Sequence, residues 1–466
     1  MNPPKTTIWL PDLLYVNGRF EAQSEISCDA NGRIVALPGT TESVSSIRLA
    51  NRALLPGLVN AHSHAFQRVI RGRTEYRTRN AKDSFWTWRE MMYSAANKLS
   101  PEDIYDASRM AFLEMALSGI TAVGEFHYLH NQPGGTPYSD PNILAKEVIR
   151  AARDVGLRIA LLRVAYARAG HQTDPNPKQA RFIEPDPETY LNNLSNLRSA
   201  LGETDGHAWV GVAPHSVRAV PLPYLKEVIA FGNAQNLPIH MHMAEQPAEV
   251  SACIEEYGRS PVALLESEGL LSERFTGVHV IHVTPKASKM LAQTGAMVCA
   301  CPTTERNLGD GVVPVDTFFK DGIDISLGTD SQAQIDLLED ARELEYHLRL
   351  QKSERAVLVD NESDDRAALA TRLFECATIS GARSIGFEGG ILETSAPADF
   401  FTVDLNDASI AGSSPDDLLS NIVFSLSRTA VKDVVVNGKR IVEDGRHSDQ
   451  EEIVERFNSL QRRLWN

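Results

Sequence analysis

The stretch LLPGLVNAHSH, residues 54–64, is an apolar run that ends on two histidines one residue apart. Apolar runs of about four to eight residues read as strands buried on both faces. Side chains alternate along an extended segment, so His62 and His64 point the same way. Working outward, the pattern returns in ITAVGEFHY (120–128), RIALLRVAY (158–166), WVGVAPHS (209–216), LPIHMHMAE (237–245), GVHVIHVTP (277–285), AMVCACP (296–302) and IDISLGTDS (323–331). Helix-like stretches separate these runs, and one is well marked. Ser100-Pro101-Glu102-Asp103 supplies an N-cap, a proline at the first helical position and acidic residues against the dipole, and Gly119 stands where a C-terminal cap belongs. Strands alternating with helices predict an α/β fold, a (β/α)8 TIM barrel.

The two chain ends have another texture. Residues 8–56 are short apolar runs broken by Asn17-Gly18 and Asn31-Gly32, and residues 398–446 carry β-branched clusters around Asn437-Gly438. Asn-Gly favours tight hairpin turns because both residues tolerate positive φ. The ends predict a small β-sandwich domain, built from residues 1–56 and from 396–466 with a terminal helix, beside a barrel of residues 57–395.

Composition narrows the function classes. The 466 residues are 42% hydrophobic and 23% charged, as in a globular enzyme, with a formal net charge of −15 that repels nucleic acid and anionic membrane. No run approaches ~18 apolar residues and the N-terminal stretch lacks a signal-peptide pattern, so the expectation is a protein neither exported nor membrane-spanning. Five scattered cysteines make no disulfide framework and fit a cytoplasmic location; Cys299 and Cys301 read as core residues.

The chemistry gathers at the strand ends. His62 and His64, then His240, His242 and Glu245, His282, and Asp330 all fall where barrel strands finish, and in this fold those ends converge on one face. Imidazoles and carboxylates so placed are a ligand set for a divalent cation, which lowers the pKa of bound water from 15.7 towards ~7. The motifs PGLVNAHSH and HMHMAE with strand-end His282 and Asp330 resemble, in that order, the mononuclear deaminase branch of the amidohydrolase superfamily. The resemblance runs over essentially the whole chain. It implies one divalent metal ion on His62, His64, His242 and Asp330, with zinc preferred and iron, manganese or nickel open. It also implies that Glu245, His282 and Asp330 act in catalysis. His240 lies near the same strand end, but the spacing to Ala244-Glu245 favours His242. Dinuclear relatives carry a bridging lysine on the fourth strand, where this chain has WVGVAPHSVRAV with His215 and no lysine.

Residues 65–98 follow the first ligands and hold eight Lys/Arg against three Asp/Glu, a basic segment at the mouth of the barrel. Arg89, in SFWTWRE, and Arg218, in HSVR, are the candidates for meeting carboxylates, since aromatic neighbours desolvate a guanidinium and strengthen a bidentate contact. NAHSHAFQR, DSFWTWREMMY, AVGEFHYLH, PHSVRAV and TERNLGDG are similar to the members of the branch that act on N-formimino-L-glutamate. That resemblance implies a small dianionic substrate contacted by Gln67, Arg89, Tyr128, His215 and Arg218, hydrolytic deimination to N-formyl-L-glutamate and ammonia in histidine breakdown, and a homodimer. The rival expectations are a deaminase of a purine, pterin or triazine on the same metal site, and a non-catalytic scaffold. A neutral ring would leave two pocket arginines without anionic partners, and a scaffold would commonly have lost ligands that are all present here.

Overall fold

The computed structural model describes residues 6–36, 44–77, 85–202, 206–359 and 365–466. The eight barrel strands are Leu58–Ser63, Ile120–His127, Arg158–Ala165, Ala208–Pro214, Ile239–Met243, Phe275–His279, Met297–Ala300 and Ile325–Leu327. They pair in sequence order into one sheet, and every neighbouring pair is parallel. A Ser63–Asp330 bridge brings the last strand end back to the first and closes the barrel. Gly328 permits that closure, because a Cβ there would stand 2.7 Å from His62 Cβ and 2.8 Å from the His62 carbonyl. Almost every residue of these strands is buried, which is why the runs lack a polar face.

The helix Pro101–Leu117 starts on the expected N-cap, where Ser100 and Asp103 also satisfy each other's backbone N–H as a capping box, and Gly119 follows it at φ 89°. The last helix, Gln450–Trp465, docks on it through Arg456 to Glu102 and Asp106, Glu452 to Arg109, and the buried Phe457 and Leu460.

The chain ends meet in a second sheet of eight strands. Its order is Lys439–Val442, Val431–Val436, Phe400–Asp404, Val44–Pro56, Thr6–Val16, Ile26–Cys28 and Ile34–Val35, with Arg19–Ala22 pairing on Thr6–Val16. The sheet has a small core of its own, including Trp9, Ile26, Leu54, Phe400 and Val435. Asn17-Gly18 and Asn437-Gly438 both take positive φ at both residues, as hairpin turns require, whereas at Asn31-Gly32 only the glycine does. Gly32 lies so close to Asn437 that a Cβ would reach its carbonyl oxygen at 2.2 Å, so the turns from opposite chain ends pack on each other.

One buried ion pair ties this sheet to the barrel. Arg158, at the start of the third barrel strand, donates to Asp399 at 2.6 and 3.1 Å, to Asn437 Oδ1 at 3.0 Å and to the Gly206 carbonyl at 2.7 Å. Among the described residues no helix is long and apolar enough to cross a membrane.

Candidate active site

Four ligand-type side chains meet at the C-terminal mouth of the barrel. His62 and His64 end the first strand, His242 lies on the fifth, and Asp330 follows the eighth; their nearest ligand atoms all fall within 4.8 Å of one another. The separations are 3.2 Å for His62 Nε2 to His64 Nε2, 3.4 Å for His64 Nε2 to His242 Nε2, and 3.6 and 3.2 Å from Asp330 Oδ1 to His62 and His64. Ligand atoms about 2.1 Å from one tetrahedral ion stand about 3.4 Å apart. The other ring nitrogens set the tautomers. His64 Nδ1 donates to the Phe126 carbonyl at 2.9 Å and His242 Nδ1 to the His215 carbonyl at 3.2 Å, so both Nε2 lone pairs face the centre. Lone pairs that converge in a buried pocket need a cation between them, and the four residues fit a divalent metal. Burial holds the His62 pKa down at about 3 and that of His242 well below the ordinary value, so protons do not compete for those nitrogens at neutral pH.

The backbone joins the ligands as well. Asp330 N–H donates to the His62 carbonyl and His64 N–H to the Asp330 carbonyl, both at 3.0 Å. Asp330 itself takes φ 47°, and Ala244, His279 and Val280 at neighbouring strand ends also sit at positive φ. Such left-handed conformations cost energy in non-glycine residues and gather where the fold must aim side chains. His240, by contrast, donates from Nε2 to the Ser384 carbonyl at 2.8 Å, away from the cluster.

The expectation for His282 is corrected by the structure. Its Nε2 donates to the Asp310 carbonyl at 2.9 Å, and the ring that reaches the centre is His279. His279 Nε2 lies 3.9 Å from Glu245 and 3.6 Å from Asp330, while Nδ1 donates to buried Glu305 at 3.1 Å. Burial opposes charge on this ring, but Glu245, Glu305 and Asp330 together hold its pKa well above the ordinary value. Burial raises Glu245 to about 7, with Asp330 and Glu249 adding to the rise and His279 opposing it.

A cavity opens onto the ligand cluster. All five residues expected at the substrate, Gln67, Arg89, Tyr128, His215 and Arg218, line it, together with Glu245 and His279. Gln67 donates to the Tyr128 hydroxyl at 2.9 Å and keeps a buried Oε1 without a partner among the described residues. Burial holds the His215 pKa well below its ordinary value, with Arg218 adding to the effect. The Arg89 guanidinium lies 4.3 Å over the Trp86 ring and 5.5 Å over Tyr93, and its buried Nε and Nη1 find no hydrogen-bond partner among the described residues. Burial lowers its pKa. Most of the other arginines of the basic segment are engaged elsewhere: Arg68 and Arg71 pair with Glu114, and Arg73 stacks on Trp465. Arg79 and Lys82 lie outside the described residues.

Residues 53–441 match the Amidohydrolase family. The chain belongs to that family. Its members are metal-dependent hydrolases, and this chain is an enzyme of that kind with a His62–His64–His242–Asp330 group in place. It is 37% identical to a formimidoylglutamate deiminase of Pseudomonas aeruginosa over 449 residues, 96% of each chain. It is 28% identical to a 5-methylthioadenosine/S-adenosylhomocysteine deaminase of Natronomonas pharaonis, covering 89% of this chain and 86% of that one. An amidohydrolase structure from Brucella melitensis superposes with a TM-score of 0.88 at 33% identity, covering 99% of this chain and all of the other.

Residues not singled out in the sequence are His279, Glu305, Tyr93 and Tyr166. His279 sits in the same VHVIHV run as His282, and the only signal was its closer place to the strand end.

Proposed function

We propose that this enzyme hydrolyses N-formimino-L-glutamate to N-formyl-L-glutamate and ammonia. The observation that carries the reading is the pair of cavity arginines facing the ligand cluster, one of them with buried, unpartnered N–H groups. A dicarboxylate supplies what such groups lack, and a buried cation without a counter-ion is costly. The 37% identity to a formimidoylglutamate deiminase supports the same substrate.

A divalent metal, for which we propose zinc, bound by His62, His64, His242 and Asp330 would acidify the attacking water and polarise the C=N group. Glu245, with a pKa near 7, can take a proton from that water and pass it to the departing nitrogen. His279, held by Glu305, presents an N–H edge towards charge that develops at the reacting carbon. Oxygen from water bonds to the formimino carbon, the bond to the terminal nitrogen breaks, and ammonia leaves while the formyl amide remains. Gln67, Tyr128 and His215 line the space between this centre and the arginines. We further propose that the enzyme works as a homodimer, which light scattering tests directly.

The deciding experiment is ammonia release by purified, metal-analysed protein from a panel of N-formimino-L-glutamate, monocarboxylate formimino compounds, adenosine-type nucleosides and a neutral pterin. Turnover of the dianion far above the rest is expected. Efficient turnover of a nucleoside or pterin, with formiminoglutamate inert, overturns the substrate and leaves a metal-dependent deaminase.

A further inference from the structure

Two phenols share the cavity with its arginines. Arg89 and Arg218 line the same cavity and repel each other, and Arg218 Nη1 donates to the Ala169 carbonyl at 3.1 Å. Tyr93 and Tyr166 line that cavity with them, the Tyr93 ring 5.5 Å from the Arg89 guanidinium. Tyr93 lies one turn beyond Arg89 on the helix Phe85–Ala96, so the two share a face. Tyr166 follows the third barrel strand and lines the same cavity as Arg218 and Tyr93.

Both phenols are clamped from a third segment. Gln179, buried in the turn Pro177–Phe182, donates from Nε2 to Tyr93 Oη at 2.9 Å and to Tyr166 Oη at 2.5 Å. The same turn holds the helix in place: the Lys178 carbonyl accepts from Asn97 at 2.8 Å, Lys178 Nζ pairs with Glu90 at 2.6 Å, and Arg181 donates to the Ala96 carbonyl. The proton count follows. An amide NH2 has two donors, and here each goes to one phenol oxygen. Neither hydroxyl then spends its proton on Gln179. Both O–H protons are left for the cavity that the two phenols line.

Resting on the proposed function, we infer that Gln179 is a positioning residue that sets the Tyr93–Tyr166 pair as a neutral hydrogen-bond donor, completing with Arg89 and Arg218 a cradle for the substrate's carboxylate end groups. The neutral donor answers a specific problem. A third cation would add to the repulsion, whereas a hydroxyl held without charge adds a directed bond to an anion.

The test is calorimetric binding of glutarate and of butyrate to the metal-loaded parent and to Tyr93→Phe, Tyr166→Phe and Gln179→Leu, with thermal melting alongside. Loss of a hydrogen bond to a charged group should weaken glutarate by about 10- to 100-fold in Gln179→Leu and in at least one Phe variant. Butyrate should bind the parent more weakly than glutarate does. In turnover of N-formimino-L-glutamate the loss should appear in KM more than in kcat, because the contact is remote from the reacting carbon. If Gln179→Leu does not fold, the two Phe variants, which each remove one oxygen, decide. Glutarate binding within twofold of the parent in both Phe variants overturns the inference alone. A parent that binds neither glutarate nor N-formimino-L-glutamate overturns the functional reading and this inference with it.

Discussion

Replacing Arg158 by Met separates the stability of this molecule from its chemistry. Arg158 is 3% exposed and Asp399 1%, and the pair is the charged link between barrel and outer sheet. Removing the guanidinium strips Asp399 of two charge-assisted bonds and leaves it the Asn437 N–H at 2.6 Å. Breaking a buried pair from one side costs about 3–5 kcal/mol, because the remaining charge is stranded. The loss of the bonds to Asn437 Oδ1 and the Gly206 carbonyl points to the upper half of that range. The double variant Arg158→Met/Asp399→Leu strands no charge and should recover at least about 2 kcal/mol of it. Urea denaturation of the parent, Arg158→Met, Asp399→Leu and the double variant, followed by circular dichroism, gives the three differences of a double-mutant cycle. Activity should stay within a few-fold, since Arg158 begins its strand and the candidate centre lies at the opposite end, roughly 20 Å away at about 3.3 Å per residue. A single-variant cost under about 1 kcal/mol, or a double variant as unstable as Arg158→Met, would refute the reasoning.

Metal analysis should show one divalent ion per chain in the parent, loss of most of it in His242→Ala, and retention in His240→Ala, whose ring bonds the Ser384 carbonyl. Glu245→Gln should keep the metal and lose about 10²-fold or more in kcat; because only the ionised carboxylate accepts a proton and its pKa is about 7, parent kcat/KM should rise with pH through that region. His279→Asn should lower kcat by about 10²-fold or more, while His282→Asn, on the Asp310 carbonyl, should leave it within a few-fold. Arg89→Met should cost about 2–5 kcal/mol in kcat/KM for the dianion, and much less for a formimino compound lacking the carboxylate it meets.

The eight barrel strands and the cluster of His62, His64, His242 and Asp330 at their ends were legible in the sequence because their signals are local. A strand buried on both faces must be an apolar run, and a polar residue that ends such a run has few structural uses other than the mouth of the barrel. The Asn-Gly turns were legible for the same reason, since positive φ is a property of the residues themselves. What only the tertiary structure decided depends on where the backbone turns and which distant segments meet. His279 and His282 are three residues apart, and alternation cannot choose between them. The choice is made by the left-handed turn at His279 and Val280, which ends the extended pattern and sends His282 to the Asp310 carbonyl. The basic segment looked like one patch, yet Glu114 and the terminal helix take up several of its charges and leave Arg89 to the cavity. Tyr93 follows the first barrel strand while Tyr166 and Gln179 follow the third, and no spacing along the chain encodes their meeting.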